Sequence, residues 1–260
     1  MDTIQIGDFK VKRIGLGTNK IRNDQKSKKA LLKAALLGIN FFDTASAYTG
    51  GESEEAIGDT LSVYYPKVVI STKGGMKAPD FKIDGRPENL KVCVENSLRK
   101  LKLSQIPLYF LHRVDPNVPL KESVMFLKKM QEVGKIKYLG LSEVSVEQLE
   151  EAGKYIEVIS VQNQYNLLER KHEDVLNYCE KNNIVFIPWT PISHGSINIP
   201  KDLLQKYQAT PTQLALAWLL HRSKVMLPIP GSTSPDHIEE NFNSLKIDLT
   251  SEDFKKLSNI

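Results

Sequence analysis

The sequence predicts an α/β fold, a (β/α)8 TIM barrel preceded by an N-terminal β-hairpin and followed by a short C-terminal helix. Eight short apolar runs alternate with amphipathic stretches from residue 13 almost to the end of the chain. The chain has 260 residues, and such a barrel takes about 250. A doubly wound open sheet also alternates strands with helices. However, no G-x-G-x-x-G turn follows the first run, which favours the barrel.

The first predicted element is the hairpin IQIGDFKVK (4–12), which turns at Gly7 and Asp8 ahead of the barrel. The eight predicted barrel strands are RIGLG (13–17), INFFD (39–43), VVISTK (68–73), PLYFLH (107–112), KYLGLS (137–142), EVISVQ (157–162), IVFIPW (184–189) and VMLPIP (225–230). Each strand is followed by a candidate helix.

Three of the predicted helices carry clear boundary signals. PENLKVCVENSLRKL (87–101) has a proline in its first turn, and VPLKESVMFLKKMQEVG (118–134) ends on a glycine suited to a C-cap. IDLTSEDFKKL (247–257) is predicted as the terminal helix, capped by Thr250. No Gly/Ser linker, low-complexity tract or repeat interrupts the pattern, so we expect residues 1–260 to form one domain.

Composition excludes several classes of protein. The chain is 41% hydrophobic and 25% charged, which is typical of a globular protein and not of a disordered or fibrous one. Its net charge of +4 comes without a block of like charges, so we expect no nucleic-acid partner. The apolar run LALAWLL (214–220) is far shorter than a membrane helix, and no secretory signal or C-x-x-C pair is present. We therefore expect a cytoplasmic protein with no membrane partner.

Functional side chains are expected at the C-terminal ends of the barrel strands, because active sites of this fold lie there. Those ends carry Asp43, Lys73, His112, Ser142, Gln162, Trp189, and Gly231 with Ser232, while Tyr48 follows Asp43 in the same loop. Taken singly, each has an ordinary structural explanation, such as a capping aspartate or a core histidine. Together they predict a site, since the barrel brings these ends to one mouth.

The chemistry that this group suits is acid–base catalysis without a metal. A tyrosine is a weak acid, and a nearby lysine ammonium would make it a better proton donor. A carboxylate such as Asp43 would keep that lysine charged, and a neutral histidine could orient a substrate carbonyl. No nucleophile with an adjacent base and no metal-ligand spacing is evident, so a redox step would need an organic cofactor.

Several motifs in order resemble the aldo-keto reductase superfamily, in particular its subgroup of short general oxidoreductases. They are GLGT (15–18), FFDTASAY (41–48), VVISTKGG (68–75), LYFLHRVD (108–115), GKIKYLGLSEVS (134–145), VQNQYNLLER (161–170), IPWTPI (187–192) and IPGSTSPDHIEENF (229–242). The resemblance covers nearly the whole chain. It implies a catalytic tetrad of Asp43, Tyr48, Lys73 and His112, which reduces a small-molecule carbonyl with a nicotinamide hydride while Tyr48 gives the proton.

The resemblance also implies the residues that bind the cofactor. They are Gly17, Thr18, Asp43, Ser142, Glu143, Gln162, Trp189, Thr190, Pro191, Ile192, Gly231, Ser232, Thr233, His237, Glu240 and Asn241. Ser142 and Gln162 match positions that hold the carboxamide, and Trp189 stands where an aromatic ring, usually tyrosine, stacks on the nicotinamide. Glu143 replaces the asparagine of many members, and a carboxylate can only accept hydrogen bonds.

The preferred cofactor implied by the resemblance is NADP(H), with NAD(H) possible. The better-known NADPH-specific members have a lysine where this chain has Gly231 and an arginine where it has His237. Ser232, Thr233, backbone N–H groups and a helix that starts near Pro235 are the predicted substitutes. Glu240 and Asn241 match positions at the adenine, and family habit implies a monomer.

Two other functions are compatible with the fold. A Schiff-base aldolase would use Lys73 as the nucleophile, but that requires an uncharged lysine, which Asp43 opposes. A nucleotide-sensing regulatory subunit would keep the cofactor site and show little turnover. The complete tetrad favours the enzyme over the regulatory subunit.

Overall fold

A computed structural model, which describes residues 2–195 and 197–260, shows a ring of parallel strands surrounded by helices. The strands are β1 (Thr3–Ile6), β2 (Phe9–Lys12), β3 (Leu16–Gly17), β4 (Phe41–Asp43), β5 (Val69–Gly74), β6 (Met76–Lys77), β7 (Lys82–Ile83), β8 (Ile106–Leu111), β9 (Ile136–Ser142), β10 (Val158–Gln162) and β11 (Val185–Phe186). The helices are α1 (Gln25–Leu37), α2 (Glu52–Leu61), α3 (Pro87–Leu101), α4 (Leu120–Glu132), α5 (Val146–Gly153), α6 (Glu173–Asn182), α7 (Lys201–Tyr207), α8 (Pro211–Arg222), α9 (Pro235–Asn243) and α10 (Ser251–Ser258).

The main sheet has the order β11-β10-β9-β8-β5-β4-β3, and the pairs within it are parallel. The segment 225–231 closes the ring, because Met226 forms a parallel bridge with Phe186 of β11 and Gly231 forms one with Gly17 of β3. The predicted (β/α)8 barrel is confirmed. Its eighth strand is irregular because Pro228 and Pro230 have no N–H to donate. Their carbonyls instead accept from the N–H groups of Gly15 (3.0 Å) and Gly17 (3.3 Å).

The interior of the barrel is apolar, and the N-terminal hairpin β1–β2 covers one end of it. A single buried cluster joins hairpin and strand residues, namely Ile6, Phe9, Val11, Phe41, Val69, Leu108, Phe110, Val185, Ile187, Leu227 and Ile229. The ring closes tightly at Gly17, where an added Cβ would lie 2.6 Å from the carbonyl oxygen of Ile229. The hairpin prediction is therefore confirmed. Because the hairpin covers one end of the barrel, a site is expected at the opposite end.

The predicted helix boundaries agree closely with the structure. α3 starts at Pro87, and Gly134 takes a φ of 76° two residues after α4 ends. The side chain of Thr250 caps α10 by accepting from the N–H of Asp253 at 3.2 Å. The small antiparallel hairpin β6–β7, which follows β5 at the mouth, was not predicted. None of the helices in the described ranges is long and apolar enough to cross a membrane.

Candidate active site

A cavity of about 630 Å³ opens at the C-terminal ends of the strands. This volume lies within the range of small-molecule and cofactor sites. The lining residues are Gly17, Thr18, Asn19, Lys20, Asp43, Tyr48, Met76, Phe81, His112, Arg113, Gln162, Trp189, Thr190, Pro191, Ile192, Ile229 and Gly231. Three of the four predicted tetrad residues line the cavity, and Lys73 is completely buried beside them.

Lys73 is held at the cavity floor by three acceptors. Its Nζ lies 2.6 Å from Oδ2 of Asp43, 2.7 Å from the carbonyl oxygen of Thr44 and 3.3 Å from the hydroxyl of Tyr48. Burial by itself would lower the pKa of Lys73, but the charge of Asp43 and the contacts with Asp43 and Tyr48 raise it overall. The ammonium therefore stays charged next to the Tyr48 hydroxyl.

The carboxylate of Asp43, at the end of β4, is fixed by donors from the adjacent strand β5 and from β10, which is not adjacent to β4 in the sheet. Its Oδ1 accepts from the hydroxyl of Ser71 at 2.8 Å and from Nε2 of Gln162 at 3.0 Å, while its Oδ2 pairs with Lys73. Thr18, which directly follows β3, holds the backbone of Asp43, because its hydroxyl donates to the backbone carbonyl of Asp43 at 2.8 Å. The ion pair is thus fully hydrogen-bonded, as a buried pair must be to persist.

His112 directly follows β8 and is buried, with 5% of its surface exposed. Its ring meets the ring of Tyr48 edge to face, with centroids 5.8 Å apart. Burial, and then the charges of Lys73 and Arg113, hold the pKa of His112 well below its usual value. The histidine is therefore neutral at the mouth of the cavity. Its ring N–H can donate a hydrogen bond to a carbonyl oxygen without adding a charge to the site.

Because buried His112 stays neutral in the folded chain, the stability of the protein falls as the pH is lowered. The unfolded chain binds a proton at His112 below pH about 6.5, whereas the folded chain does not. We expect the unfolding free energy of the wild type to fall by about 1.4 kcal/mol more than that of His112→Gln between pH 7.5 and pH 5.5. Urea unfolding at the two pH values measures this, and equal losses in both proteins would contradict a neutral His112.

The predicted carboxamide ligands lie side by side at the ends of β9 and β10, where Ser142 and Gln162 are paired in register. The hydroxyl oxygen of Ser142 accepts from Nη1 of Arg113 at 3.0 Å, so its hydrogen remains available to a ligand. Trp189 follows β11 and lines the same cavity. Gln162 and Trp189 therefore line the cavity, whereas the predicted ligand Ser142 is buried beside Gln162 and does not line it.

Glu143 is placed differently from Ser142 and Gln162. It is half-buried with a φ of 55°, and its Oε1 accepts from the indole N–H of Trp189 at 2.7 Å and from the backbone N–H of Gln164 at 2.6 Å. Burial acts to raise the pKa of Glu143, but contacts from His172, Gln164 and Trp189 lower it to about 2. The carboxylate is thus charged, and its Oε1 already has two donors.

A second, smaller cavity of about 120 Å³ continues from the first towards α9. It is lined by Ile192, Thr212, Gly231, Ser232, His237, Glu240 and Asn241. Ile192 and Gly231 are common to both cavities. The N-terminus of α9 is capped by Ser234, and the predicted ligand Thr233 lines neither cavity. Glu240 accepts a 2.6 Å hydrogen bond from the Thr210 hydroxyl, which ties α9 to the cap of α8.

Sequence reasoning missed Arg113, which lines the main cavity next to His112. Its Nη1 donates to the carbonyl of His112 at 2.7 Å and to Ser142, and its guanidinium carbon lies 5.9 Å from the ring centre of Trp189. Its position directly after the predicted strand 107–112 could have identified it. Phe81 had no such signal, because it reaches the cavity from the unpredicted hairpin β6–β7.

Comparisons with known proteins agree with this geometry. The model of the aldo/keto reductase family matches residues 13–260. The chain is 40% identical to an oxidoreductase from Schizosaccharomyces pombe over 98% of this chain and 88% of the relative. It is 30% identical to pyridoxine 4-dehydrogenase from Escherichia coli over 100% of this chain and 98% of the relative.

Among solved structures, an aldo-keto reductase from Klebsiella pneumoniae in complex with NADPH superposes with a TM-score of 0.87 at 26% identity. The superposition covers 99% of this chain and 94% of the other. The barrel, the cavity at its mouth and the family match over residues 13–260 lead to one conclusion: the chain belongs to the aldo-keto reductase family of oxidoreductases.

Proposed function

We propose that the protein is an NADP(H)-dependent carbonyl reductase acting on small aldehydes or ketones, with Asp43, Tyr48, Lys73 and His112 as its catalytic tetrad. The observation that carries the proposal is the buried Lys73 ammonium, 3.3 Å from the hydroxyl of Tyr48 at the floor of the cavity. The proposal extends to a monomer, as the family resemblance implies, and to action in the cytoplasm, as the sequence predicts.

The residues present fit a dinucleotide. The two cavities share Ile192 and Gly231, and together they offer an aromatic ring at one end and the N-terminus of a helix at the other. Ser142 and Gln162 would hold the carboxamide, and Trp189 would stack on the nicotinamide ring. Ser232 and the N-terminus of α9 would face a phosphate group of the cofactor. A bound nicotinamide cofactor supplies the hydride in this chemistry.

The chain's own residues supply the proton. The hydroxyl of Tyr48 donates to the carbonyl oxygen of the substrate, and the adjacent Lys73 ammonium stabilises the phenolate that forms. Asp43 keeps Lys73 charged and in place. Neutral His112 orients the carbonyl oxygen, because it lies against Tyr48 on the same side of the cavity.

The choice of NADP(H) over NAD(H) is supported by the related structure that contains NADPH. In this chain the site around Gly231 offers the hydroxyls of Ser232 and Thr233, exposed His237 and the positive end of α9. These groups can bind a 2′-phosphate without the lysine and arginine of better-known members. The remaining predicted contacts from Gly17 to Asn241, apart from Glu143, are proposed as ligands of the same cofactor. Glu143 is set apart because its Oε1 already accepts from Gln164 and Trp189.

The test follows the absorbance of NADPH, and separately of NADH, with 4-nitrobenzaldehyde and with pyridoxal. We expect consumption of NADPH with kcat/KM about tenfold above that with NADH, the equivalent of one phosphate contact worth about 1.4 kcal/mol. A preference for NADH would overturn the cofactor proposal and leave the chemistry intact. Tight NADPH binding with no turnover of either aldehyde would instead favour a nucleotide-sensing regulatory subunit.

A further inference from the structure

We propose that Glu143 is a positioning residue for Trp189: its carboxylate fixes the indole ring at the nicotinamide end of the cavity. The inference rests on the proposed function, in which Trp189 stacks on the cofactor. Glu143 would therefore act on the reaction through Trp189 and not by binding the carboxamide itself.

One carboxylate oxygen connects the ends of three neighbouring strands. Glu143 directly follows β9, and its Oε1 accepts from the N–H of Gln164, beyond β10, at 2.6 Å. The same oxygen accepts from Nε1 of Trp189, beyond β11, at 2.7 Å. The backbones here are paired too, because Trp189 forms a parallel bridge with Gln164. Backbone pairing fixes the main chain at Trp189, and the carboxylate fixes the direction of the ring.

The contact suits both side chains chemically. An indole has one N–H donor and no acceptor, so a partly buried tryptophan needs an acceptor in the plane of its ring. A partly buried carboxylate needs donors, and hydrogen bonds to a charged acceptor are shorter and stronger than neutral ones. The left-handed φ of 55° at Glu143 turns the chain sharply after β9.

Hydrogen-bond donors and one cation near the carboxylate keep it ionised. Nε2 of His172 lies 3.6 Å from the second oxygen, Oε2, and the positive charge of Arg113 also acts on Glu143. The guanidinium of Arg113 in turn lies over the face of the Trp189 ring. The indole is thus held from its edge by an anion and approached on its face by a cation, two contacts that suit its charge distribution.

Glu143 and Trp189 are also two positions at which the sequence departs from the common family pattern of asparagine and tyrosine. The structure joins these two departures by a hydrogen bond. The effect of replacing Glu143 is therefore expected to depend on which residue is present at position 189.

The first experiment uses tryptophan fluorescence without cofactor. The chain has two tryptophans, so Trp218→Phe leaves Trp189 as the only emitter. In this background Glu143→Ala is expected to raise the acrylamide quenching constant of Trp189 about twofold, because the ring is released. Glu143→Gln, which keeps an acceptor oxygen, should restore most of the protection. Glu150→Ala is the matched control, because Glu150 is an exposed residue of α5. Equal quenching of the Trp218→Phe protein with and without Glu143→Ala would overturn the proposal, whatever the protein's activity.

The second experiment measures NADPH-dependent turnover and uses the natural Trp218, so it does not depend on the fluorescence background. Glu143→Ala is expected to lower kcat about tenfold or more through a misplaced ring, with Glu143→Gln close to wild type. In a Trp189→Phe background the same change should have almost no further effect, because the two residues act as one unit. Full additivity of the two losses would overturn the proposal. If the wild type itself fails to bind or oxidise NADPH, the proposed function fails, and the quenching result still decides the role of Glu143.

Discussion

Tyr48→Phe is expected to lower the turnover of carbonyl reduction by about 10²–10⁴-fold, the usual contribution of a positioned proton donor. The hydroxyl that this change removes is the one that lies 3.3 Å from the ammonium of Lys73. The ring is retained, so its edge-to-face contact with His112 is retained as well. Affinity for NADPH should therefore change little, and the loss should appear in kcat.

The measurement is steady-state reduction of 4-nitrobenzaldehyde, combined with NADPH titration of each variant by fluorescence. Tyr64→Phe is the matched control, because Tyr64 is 47% exposed and lies in the turn after α2. A Tyr48→Phe enzyme that retained kcat within threefold would show that the proton comes from another group. Loss of NADPH binding together with turnover would point to a structural role for the hydroxyl.

Much of the site could be predicted because the C-terminal ends of all strands of a parallel barrel lie at the same mouth. Asp43, Lys73, His112, Ser142 and Gln162 were predicted from strand ends, and parallel strands of one sheet place those ends at one mouth. The register of the strands then brings Ser142 beside Gln162. The family resemblance added roles, which the geometry of Lys73 supports and which remain proposals for the individual residues.

What could not be predicted depends on side-chain direction and on weak local signals. The hydrogen bond between Glu143 and Trp189 joins residues 46 positions apart and requires a left-handed turn at Glu143. The hairpin β6–β7 has strands of two residues each, too short for a periodic pattern. The eighth strand was expected as a regular strand, although Pro228 and Pro230 could have indicated its missing donors.

Lys73→Met is expected to damage both stability and turnover, and a second substitution can separate the two effects. Removing the ammonium leaves Asp43, which is 1% exposed, without its charged partner, and breaking a buried ion pair in this way costs about 3–5 kcal/mol. The carbonyl of Thr44 also loses its donor. Turnover should fall by at least the factor expected for Tyr48→Phe, because the phenolate loses its stabilising charge.

The double variant Asp43→Asn with Lys73→Met decides whether the ion pair is there for stability or for chemistry. An amide at position 43 has no charge to leave buried and can still accept from Ser71. Most of the stability lost in Lys73→Met should therefore return, whereas turnover should not. Urea unfolding and NADPH-dependent reduction, measured on the wild type, Asp43→Asn, Lys73→Met and the double variant, give both quantities. Recovery of turnover along with stability would mean that Lys73 serves only the fold. If neither recovers, the amide at position 43 has failed to replace the carboxylate in the hydrogen bonds that Ser71 and Gln162 donate to it.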